Sequence, residues 1–358
     1  MNALRAAVIG VGTIGRLHAR VFHEHPHTRL AAVMDVREAR AREVGEALGV
    51  RWYDDWEALL AEEDLDIVSV ATPEQARFAP AVAAARAGRH VLLEKPLAPT
   101  LDEAQRLVRE VEATGVMAMV NFVLRSDPRY VRAKLAMSDG TVGEPCTMFA
   151  RRRGTRLGAE FYGPWTDLLI STAIHDIDIM IWLNEAPVER VFAEAVVKRS
   201  AEWEREDAVA GLLRFANGCV GLLETSWVLP PTVPAPLDAA LHVVGTAGGI
   251  FIEGANQGMA VVTRERYSHP DLTHWPIGRT GVEGDLRASL DHFITCVRTG
   301  QPPVADLRSA LYAQEVVAAM KASLRTGRPV PLPFREPHAG GGDGGVRGTV
   351  SPQTGADA

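Results

Sequence analysis

The run Gly10-Val11-Gly12-Thr13-Ile14-Gly15 constrains this chain more than any other feature, because of where it lies. It directly follows the apolar residues 6–9 and opens a stretch of helical pattern. In that setting the first glycine makes a tight turn, the second lets backbone approach a pyrophosphate, and the third lets helix pack on strand. The phosphates then face the unsatisfied N–H groups of the helix N-terminus. Asp35 closes the next apolar run, Ala32-Val33-Met34, twenty residues beyond Gly15. A carboxylate there accepts hydrogen bonds from both adenosine ribose hydroxyls and repels a 2′-phosphate. Gly10, Gly12, Thr13, Ile14, Gly15 and Asp35 are therefore expected to hold a dinucleotide, with NAD preferred. Arg37 and Arg40 just beyond the acid keep NADP as the lesser alternative, since guanidinium forks suit a phosphate.

Around this motif, residues 4 to 121 alternate short β-branched runs with alanine- and arginine-rich helical stretches, the pattern of parallel strands joined by crossover helices. Strands are expected at residues 4–9, 30–34, 67–70, 90–93 and 116–120, with helices at 38–48, 78–87 and 101–113. The fold class is α/β, and residues 1–121 form a doubly wound dinucleotide-binding domain. From 122 to 335 the rhythm changes to longer strand-like runs at 146–150, 188–197, 208–215, 220–227, 241–244 and 259–263. Helical patterns appear at 172–183, 286–297 and 310–324. This second domain reads as α+β on an open, mostly antiparallel sheet. Residues 336–358 hold seven glycines and only two large aliphatics, Val346 and Val350, and are expected to be a disordered tail.

Net charge is −7, without an extended basic block, which argues against non-specific nucleic-acid binding. No apolar run approaches the ~18 residues of a membrane span. The apolar start runs into the glycine motif rather than a small-residue cleavage site, so a strand is expected there and not a signal peptide. Cys146, Cys219 and Cys296 are far apart and form no CxxC pair, giving neither a disulfide framework nor a zinc set and fitting a cytoplasmic protein. No metal is expected. An open antiparallel sheet with an uncovered face calls for a partner, so a homodimer or homotetramer through that sheet is expected.

Ligands of open α/β sheets sit outside the carboxyl ends of the strands. Two such places stand out: Ala71-Thr72-Pro73 after the strand at 67–70, and Glu94-Lys95-Pro96 after the strand at 90–93. Thr72, Pro73, Glu94 and Lys95 therefore join the cofactor-binding candidates. An ammonium at Lys95 could reach both a bound nicotinamide and a substrate hydroxyl. In the helical run 172–183, His175, Asp178 and Trp182 share a face at spacings of three and four, apart from the buried stripe of Ile174, Ile177 and Ile181. Arg151-Arg152-Arg153-Gly154-Thr155-Arg156 follows a second-domain strand. Its guanidiniums suit a phosphate, so a sugar phosphate or nucleotide sugar is a possible substrate, unless strand alternation sends only some of them to the cleft.

The ordered set Gly10 to Ala19, Ala71-Thr72-Pro73, His90-Val91-Leu92-Leu93-Glu94-Lys95-Pro96-Leu97-Ala98, Arg125-Ser126-Asp127-Pro128-Arg129-Tyr130, Ile174-His175-Asp176-Ile177-Asp178 and Thr326-Gly327-Arg328-Pro329-Val330 resembles the Gfo/Idh/MocA oxidoreductases. The resemblance implies a Rossmann domain followed by a C-terminal α/β domain whose open sheet often makes the oligomer interface. It also implies NAD(P)-dependent redox chemistry on sugars or cyclitols. Lys95 matches the family's catalytic lysine and His175 its catalytic histidine, with Arg152 and Asp178 as further substrate candidates. Two departures stand out. Many catalytic members carry an aspartate where this chain has Ser171, four residues before the histidine. Asp167, a turn further back, replaces it only if the helix begins that early; otherwise Lys95, Asp176, Asp178 or the substrate must help. Arg77 stands where members often have histidine, with no mechanism attached.

The expected activity is reversible oxidation of a secondary hydroxyl of a sugar, cyclitol or sugar derivative. Two alternatives use the same residues: a dinucleotide-sensing regulatory protein that has lost turnover, motivated by Ser171, and a reductase of an imine or keto intermediate.

Overall fold

The structure is a computed structural model and describes residues 3–335. The expected glycine-rich tail at 336–358 lies outside the described residues. Its first half is a sheet of six parallel strands: β1 (Leu4–Ile9), β2 (Thr28–Met34), β3 (Arg51–Tyr53), β4 (Ile67–Val70), β5 (His90–Leu93) and β6 (Ala118–Val120), in the order β3-β2-β1-β4-β5-β6. The central strands are largely buried, β4 at every residue, because helices cover both faces. These helices are α1 (Thr13–Glu24), α2 (Glu38–Leu48), α3 (Trp56–Glu62), α4 (Phe78–Arg86) and α5 (Leu101–Glu112). Two of the starts have a side-chain cap. Asp55 caps α3 through Glu57 and Ala58 backbone N–H groups, and Thr100 caps α5 through that of Glu103, in a Thr-x-x-Glu pattern that also places acids in the first turn. The strand β3 and helix α3 were not expected, being too short to show a period.

The second half opens with α6 (Pro128–Ser138), whose cap Asp127 and N1 proline set its start. It continues as β7 (Pro145–Thr155), α7 (Arg156–Tyr162), a π-helical turn Leu169–Ala173 and α8 (Ile174–Asn184). Then come β8 (Val188–Val196), β9 (Ala208–Phe215), β10 (Val220–Leu229), β11 (Leu237–Gly245) and β12 (Gly249–Glu253), followed by the small hairpin β13 (Val261–Val262) and β14 (Tyr267–Ser268), α9 (Gly284–Thr299), α10 (Leu307–Thr326) and β15 (Val330–Pro331). Seven strands form a sheet in the order β12-β11-β7-β10-β9-β8-β15. All pairs are antiparallel except β7 with β10, so the sheet is mixed. The strand expected at 259–263 shrinks to two residues and lies apart from this sheet, while β12 went unrecognised because Gly248-Gly249 read only as a turn.

One face of this sheet is covered by α8 and α10, and the other is open. Leu222, Val244 and Phe251 are 44%, 44% and 67% exposed there. The two halves are tied together: Gln314 of α10 donates to the Ala98 carbonyl and accepts from Leu97 N–H, and Ser289 of α9 donates to Asn121.

A buried pairing in the second half joins Arg125, before α6, to Asp178 of α8 through two hydrogen bonds of 2.9 and 2.5 Å. Both side chains are almost wholly buried, at 4% and 1% exposure. Arg125→Ala would leave an unpaired carboxylate in the core, and a loss of about 3–5 kcal/mol in stability is expected. Urea unfolding followed by circular dichroism checks it; a loss under about 1 kcal/mol would mean that water reaches Asp178.

Candidate active site

At the end of β1 the three glycines divide their tasks as the motif requires. Gly10 has φ +88°, and a Cβ there would lie 3.0 Å from the Ala71 carbonyl carbon. A Cβ on Gly15 would lie 1.8 Å from Gly10 O, so only glycine lets α1 pack this closely. Around Gly12, by contrast, a Cβ would meet nothing nearer than Arg40 Nη1 at 3.8 Å, leaving open space over the α1 N-terminus. That cradle fits a pyrophosphate. Thr13 and Ile14 form the first turn of α1.

Asp35 is 5% exposed at the end of β2. It accepts from Val11 N–H at 3.1 Å and Arg37 N–H at 3.0 Å, and Arg40 Nη1 lies 3.2 Å away. The guanidinium over the acid is thus that of Arg40, whereas Arg37 contributes only its backbone. At the end of β4, Thr72 Oγ1 is buried without a hydrogen-bond partner. It follows Ala71, whose carbonyl packs on Gly10, so the orphaned hydroxyl belongs to the same cleft and fits a ligand there. Pro73 caps the short turn that follows.

Arg77, the unexplained departure, proves to be a brace. Its buried guanidinium donates to the carbonyls of Thr72 and Pro96, joining the loops after β4 and β5. Burial pushes its pKa down to about 10 against the pull of Glu94 and Glu74. A neutral histidine could not hold both carbonyls in this way.

Behind the β5 loop lies a buried polar network that sequence reasoning missed. His18 of α1 has no exposure; its Nδ1 is 2.8 Å from Ser69 Oγ and its Nε2 3.2 Å from Glu94 Oε1. Asn121 donates to the same Glu94 oxygen at 2.6 Å. Burial works against the Glu94 charge, but His18, Asn121 and Lys95 outweigh it and keep the carboxyl below its ordinary range. The available signal was His18 lying three residues past Gly15, on the side of α1 that meets the sheet. Glu94 therefore faces inward, toward this network, rather than out to a ligand.

Lys95, next along the loop, extends to the second domain, where Nζ donates to the Ser171 carbonyl at 2.7 Å. Burial lowers its pKa, and Arg77 and Arg152 lower it further while Glu94 and Glu74 oppose them. The acceptor lies in the π-helical turn that leads into α8, a kind of irregularity that frees backbone carbonyls and recurs at functional sites. The helix thus starts earlier than the expected 172. Asp167 caps it through Ile170 N–H at 3.0 Å and pairs with Lys321 at 2.6 Å. It is therefore spoken for and does not replace the missing acid. Ser171 Oγ turns back to the Asp167 carbonyl at 2.6 Å.

His175 follows in the first turn of α8, with Phe122 edge-on to its ring at 6.4 Å. Burial pushes its pKa well below the ordinary value, and the charges of Lys95, Arg152 and His274 add to this. At neutral pH it is a free base, able to accept a proton.

Strand alternation sorts the arginine run on β7. Arg152 points to the helix-covered face and grips Asp176 with bonds of 2.8 and 2.9 Å, both side chains being buried. Arg151 and Arg153 point to the open face and pair with Asp238, Glu253 and Glu224. Arg156 pairs with Glu160, Glu202 and Asp207. Every guanidinium of the run has a carboxylate partner, which removes the basis for reading it as a phosphate site. Asp178, expected to meet substrate, spends both oxygens on Arg125 and is out of reach. Arg152 does border a cavity of about 270 Å³, together with Tyr130, Leu237, His274 and Trp275.

Residues 4–122 match the oxidoreductase family, NAD-binding Rossmann fold, and residues 145–332 its C-terminal α/β domain. The chain belongs to the Gfo/Idh/MocA oxidoreductase family. It is 30% identical over 346 residues to a scyllo-inositol 2-dehydrogenase (NAD(+)) of Bacillus subtilis, covering 95% of this chain and 99% of that one. With a myo-inositol 2-dehydrogenase of Thermotoga maritima it shares 28% over 340 residues, 92% of this chain and 98% of that one. Among solved structures, a probable dehydrogenase from Thermotoga maritima matches with a TM-score of 0.80 at 28% identity, covering 92% of this chain and 99% of the other. Scyllo-inositol dehydrogenase from Lactobacillus casei with bound NAD(H) and scyllo-inositol shares the fold, with a TM-score of 0.78 at 17% identity over 92% of this chain and 99% of the other.

Asp35 should favour NAD over NADP by about 2–3 kcal/mol, through bonds to the ribose and repulsion of a 2′-phosphate. Asp35→Ser should narrow or reverse that ratio by releasing Arg40, as measured by kcat/KM with each cofactor. A low His175 pKa sets a second expectation. If His175 is the base, it works only when neutral, so activity should be lost as pH falls through that lowered pKa, and the acidic limb of kcat/KM should lie below the ~6.5 of an ordinary histidine. Ser171→Asp, which brings a negative charge to the turn under Lys95, should move that limb upward; an unmoved limb would show that residue 171 does not act on the imidazole.

Proposed function

We propose that this protein oxidises a secondary hydroxyl of a cyclitol, reversibly and with NAD, and that Lys95 and His175 are its catalytic residues. The observation that carries the reading is the Lys95–Ser171 hydrogen bond, which brings an ammonium from the cofactor-side strand end to the turn that feeds His175. Bound NAD supplies the hydride acceptor, nicotinamide C4. The chain's own part begins with the polyol, whose reacting hydroxyl lies between the two side chains. Neutral His175 accepts the hydroxyl proton. Lys95, with donors left over after the Ser171 carbonyl, holds the oxygen and stabilises the negative charge that develops on it. In the reverse direction the imidazolium returns the proton to the carbonyl oxygen.

A neutral polyol suits this cleft better than a phosphorylated one, because the nearby guanidiniums are already matched by carboxylates. Relatives named inositol 2-dehydrogenases, aligned over nearly the full chain, support the same class. The regulatory and imine-reducing alternatives have no separate observation in their favour.

In the same proposal, residues 1–121 bind the cofactor and 122–335 carry the substrate and the subunit contacts. Gly10, Gly12, Thr13, Ile14, Gly15, Asp35, Thr72 and Pro73 contact NAD, with Lys95 reaching both ligands and Arg152 shaping the substrate cavity. The open face, which exposes Phe251, Val244 and Leu222 beside the Arg151 and Arg153 ion pairs, pairs with a second copy, as a dimer or tetramer. No helix among the described residues is long and apolar enough to cross a membrane, and the three cysteines are unpaired, which agrees with a cytoplasmic setting.

Purified protein mixed with NAD and a panel of inositols, hexoses and sugar phosphates should raise absorbance at 340 nm with a cyclitol. Lys95→Ala and His175→Ala should each lower kcat by at least ~10²-fold while NAD affinity changes far less. No turnover on any panel member, despite tight NAD binding, would favour the regulatory alternative.

A further inference from the structure

The loop between β14 and α9 carries His274 to the cavity beside Arg152, and much of the local structure holds that one residue in place. The Asp271 carboxylate accepts backbone N–H bonds from Thr273, His274 and Trp275 at 3.2, 3.0 and 3.0 Å. Helix α9 abuts the loop directly: Asp285 N–H donates to the Thr273 carbonyl at 2.7 Å and Leu286 N–H to the His274 carbonyl at 3.1 Å. The approach depends on Gly284, at φ +83°, where a Cβ would lie 2.4 Å from Thr273 O. These backbone bonds already fix the loop. The side chains add something else.

Asp285, with no side-chain exposure, meets His274 Nδ1 at 2.8 Å, and its other oxygen is buried without a partner. A carboxylate on Nδ1 sets the ring's tautomer and orientation and leaves Nε2 for a ligand. His274 Nε2 has no hydrogen-bond partner among the described residues, and the side chain keeps 18% exposure. Trp275, whose ring centre is 5.7 Å from that of His274, lines the same cavity with Leu237, offering apolar surface. A cyclitol presents apolar C–H faces and a rim of hydroxyls that both donate and accept, which matches an imidazole nitrogen set beside an indole.

We infer that His274, oriented by Asp285, is a specificity-determining residue that hydrogen-bonds a ring hydroxyl of the substrate other than the one oxidised. This rests on the proposed cyclitol activity and adds a second point of attachment, which selects the hydroxyl presented to Lys95 and His175. The pair is a positioning device, and the proton leaves through His175.

The test uses the full chain with NAD, myo- and scyllo-inositol and their monodeoxy analogues. His274→Ala should raise the inositol KM about tenfold, the size of one lost hydrogen bond, with kcat changed less than about threefold and NAD affinity unmoved by calorimetry. The penalty should disappear with the one deoxy analogue that lacks the contacted hydroxyl, and His274→Gln should recover part of it. Asp285→Asn, which keeps the shape but weakens the hold on Nδ1, gives a second variant with a smaller KM rise should His274→Ala fold poorly. An unchanged KM, a kcat that falls in step with kcat/KM, or an equal penalty on every deoxy analogue overturns the inference while leaving cyclitol oxidation standing. Failure of the unaltered enzyme on every cyclitol overturns both.

Discussion

The hydrogen bond from Lys95 Nζ to the Ser171 carbonyl joins two separately built halves at the point where their functional side chains converge. It adds a direct link from the strand end that carries Lys95 to the turn that leads into His175, beside the Gln314 bonds that already hold the same loop to the second half. The bond also meets an electrostatic need. Lys95 lies among the positive charges of Arg77 and Arg152, and burial already disfavours its charge. A backbone carbonyl freed by a π-helical turn is an acceptor that adds no ion and cannot be titrated. Glu94, held ionised by His18 and Asn121, supplies the countercharge from behind.

Much of this was legible in the sequence wherever a short motif has one physical meaning. The bounds of β1, β4, β5, α2 and β9 agree with those expected, since each is a strongly apolar or periodic run bounded by turn residues. Strand-end position drew attention to Thr72 and Lys95, and both lie in the loops that follow β4 and β5. What the sequence hid were pairings across long separations. The arginine run could be read as free positive charge only because its partners lie far along the chain, as Asp238 and Glu253 do for Arg151. Asp178 had the right helical spacing to meet substrate, yet Arg125, 53 residues earlier, claims both its oxygens. The early start of the helix before His175 was masked because α-helical periodicity breaks in the π turn.

The cleft is consequently lined with charge that is internally compensated. Arg152 is matched by Asp176 and Arg125 by Asp178, and the Asp285 carboxylate holds the His274 ring. Such pairs hold shape and present directional donors and acceptors without attracting ions. In the proposed reaction such a site selects an uncharged polyol by the placement of its hydroxyls, with Lys95 meeting the charge that develops.

Strand β7 carries three consecutive arginines to two different destinations. Arg152 reaches inward to Asp176, the residue next to His175, and its neighbours on either side reach outward to carboxylates on the open sheet face. Cleft and outer surface are thus separated by a single peptide unit. Replacing residue 151 or 153 therefore changes the outer surface without removing a side chain from the cleft, so the two faces of this strand are free to vary separately in sequence.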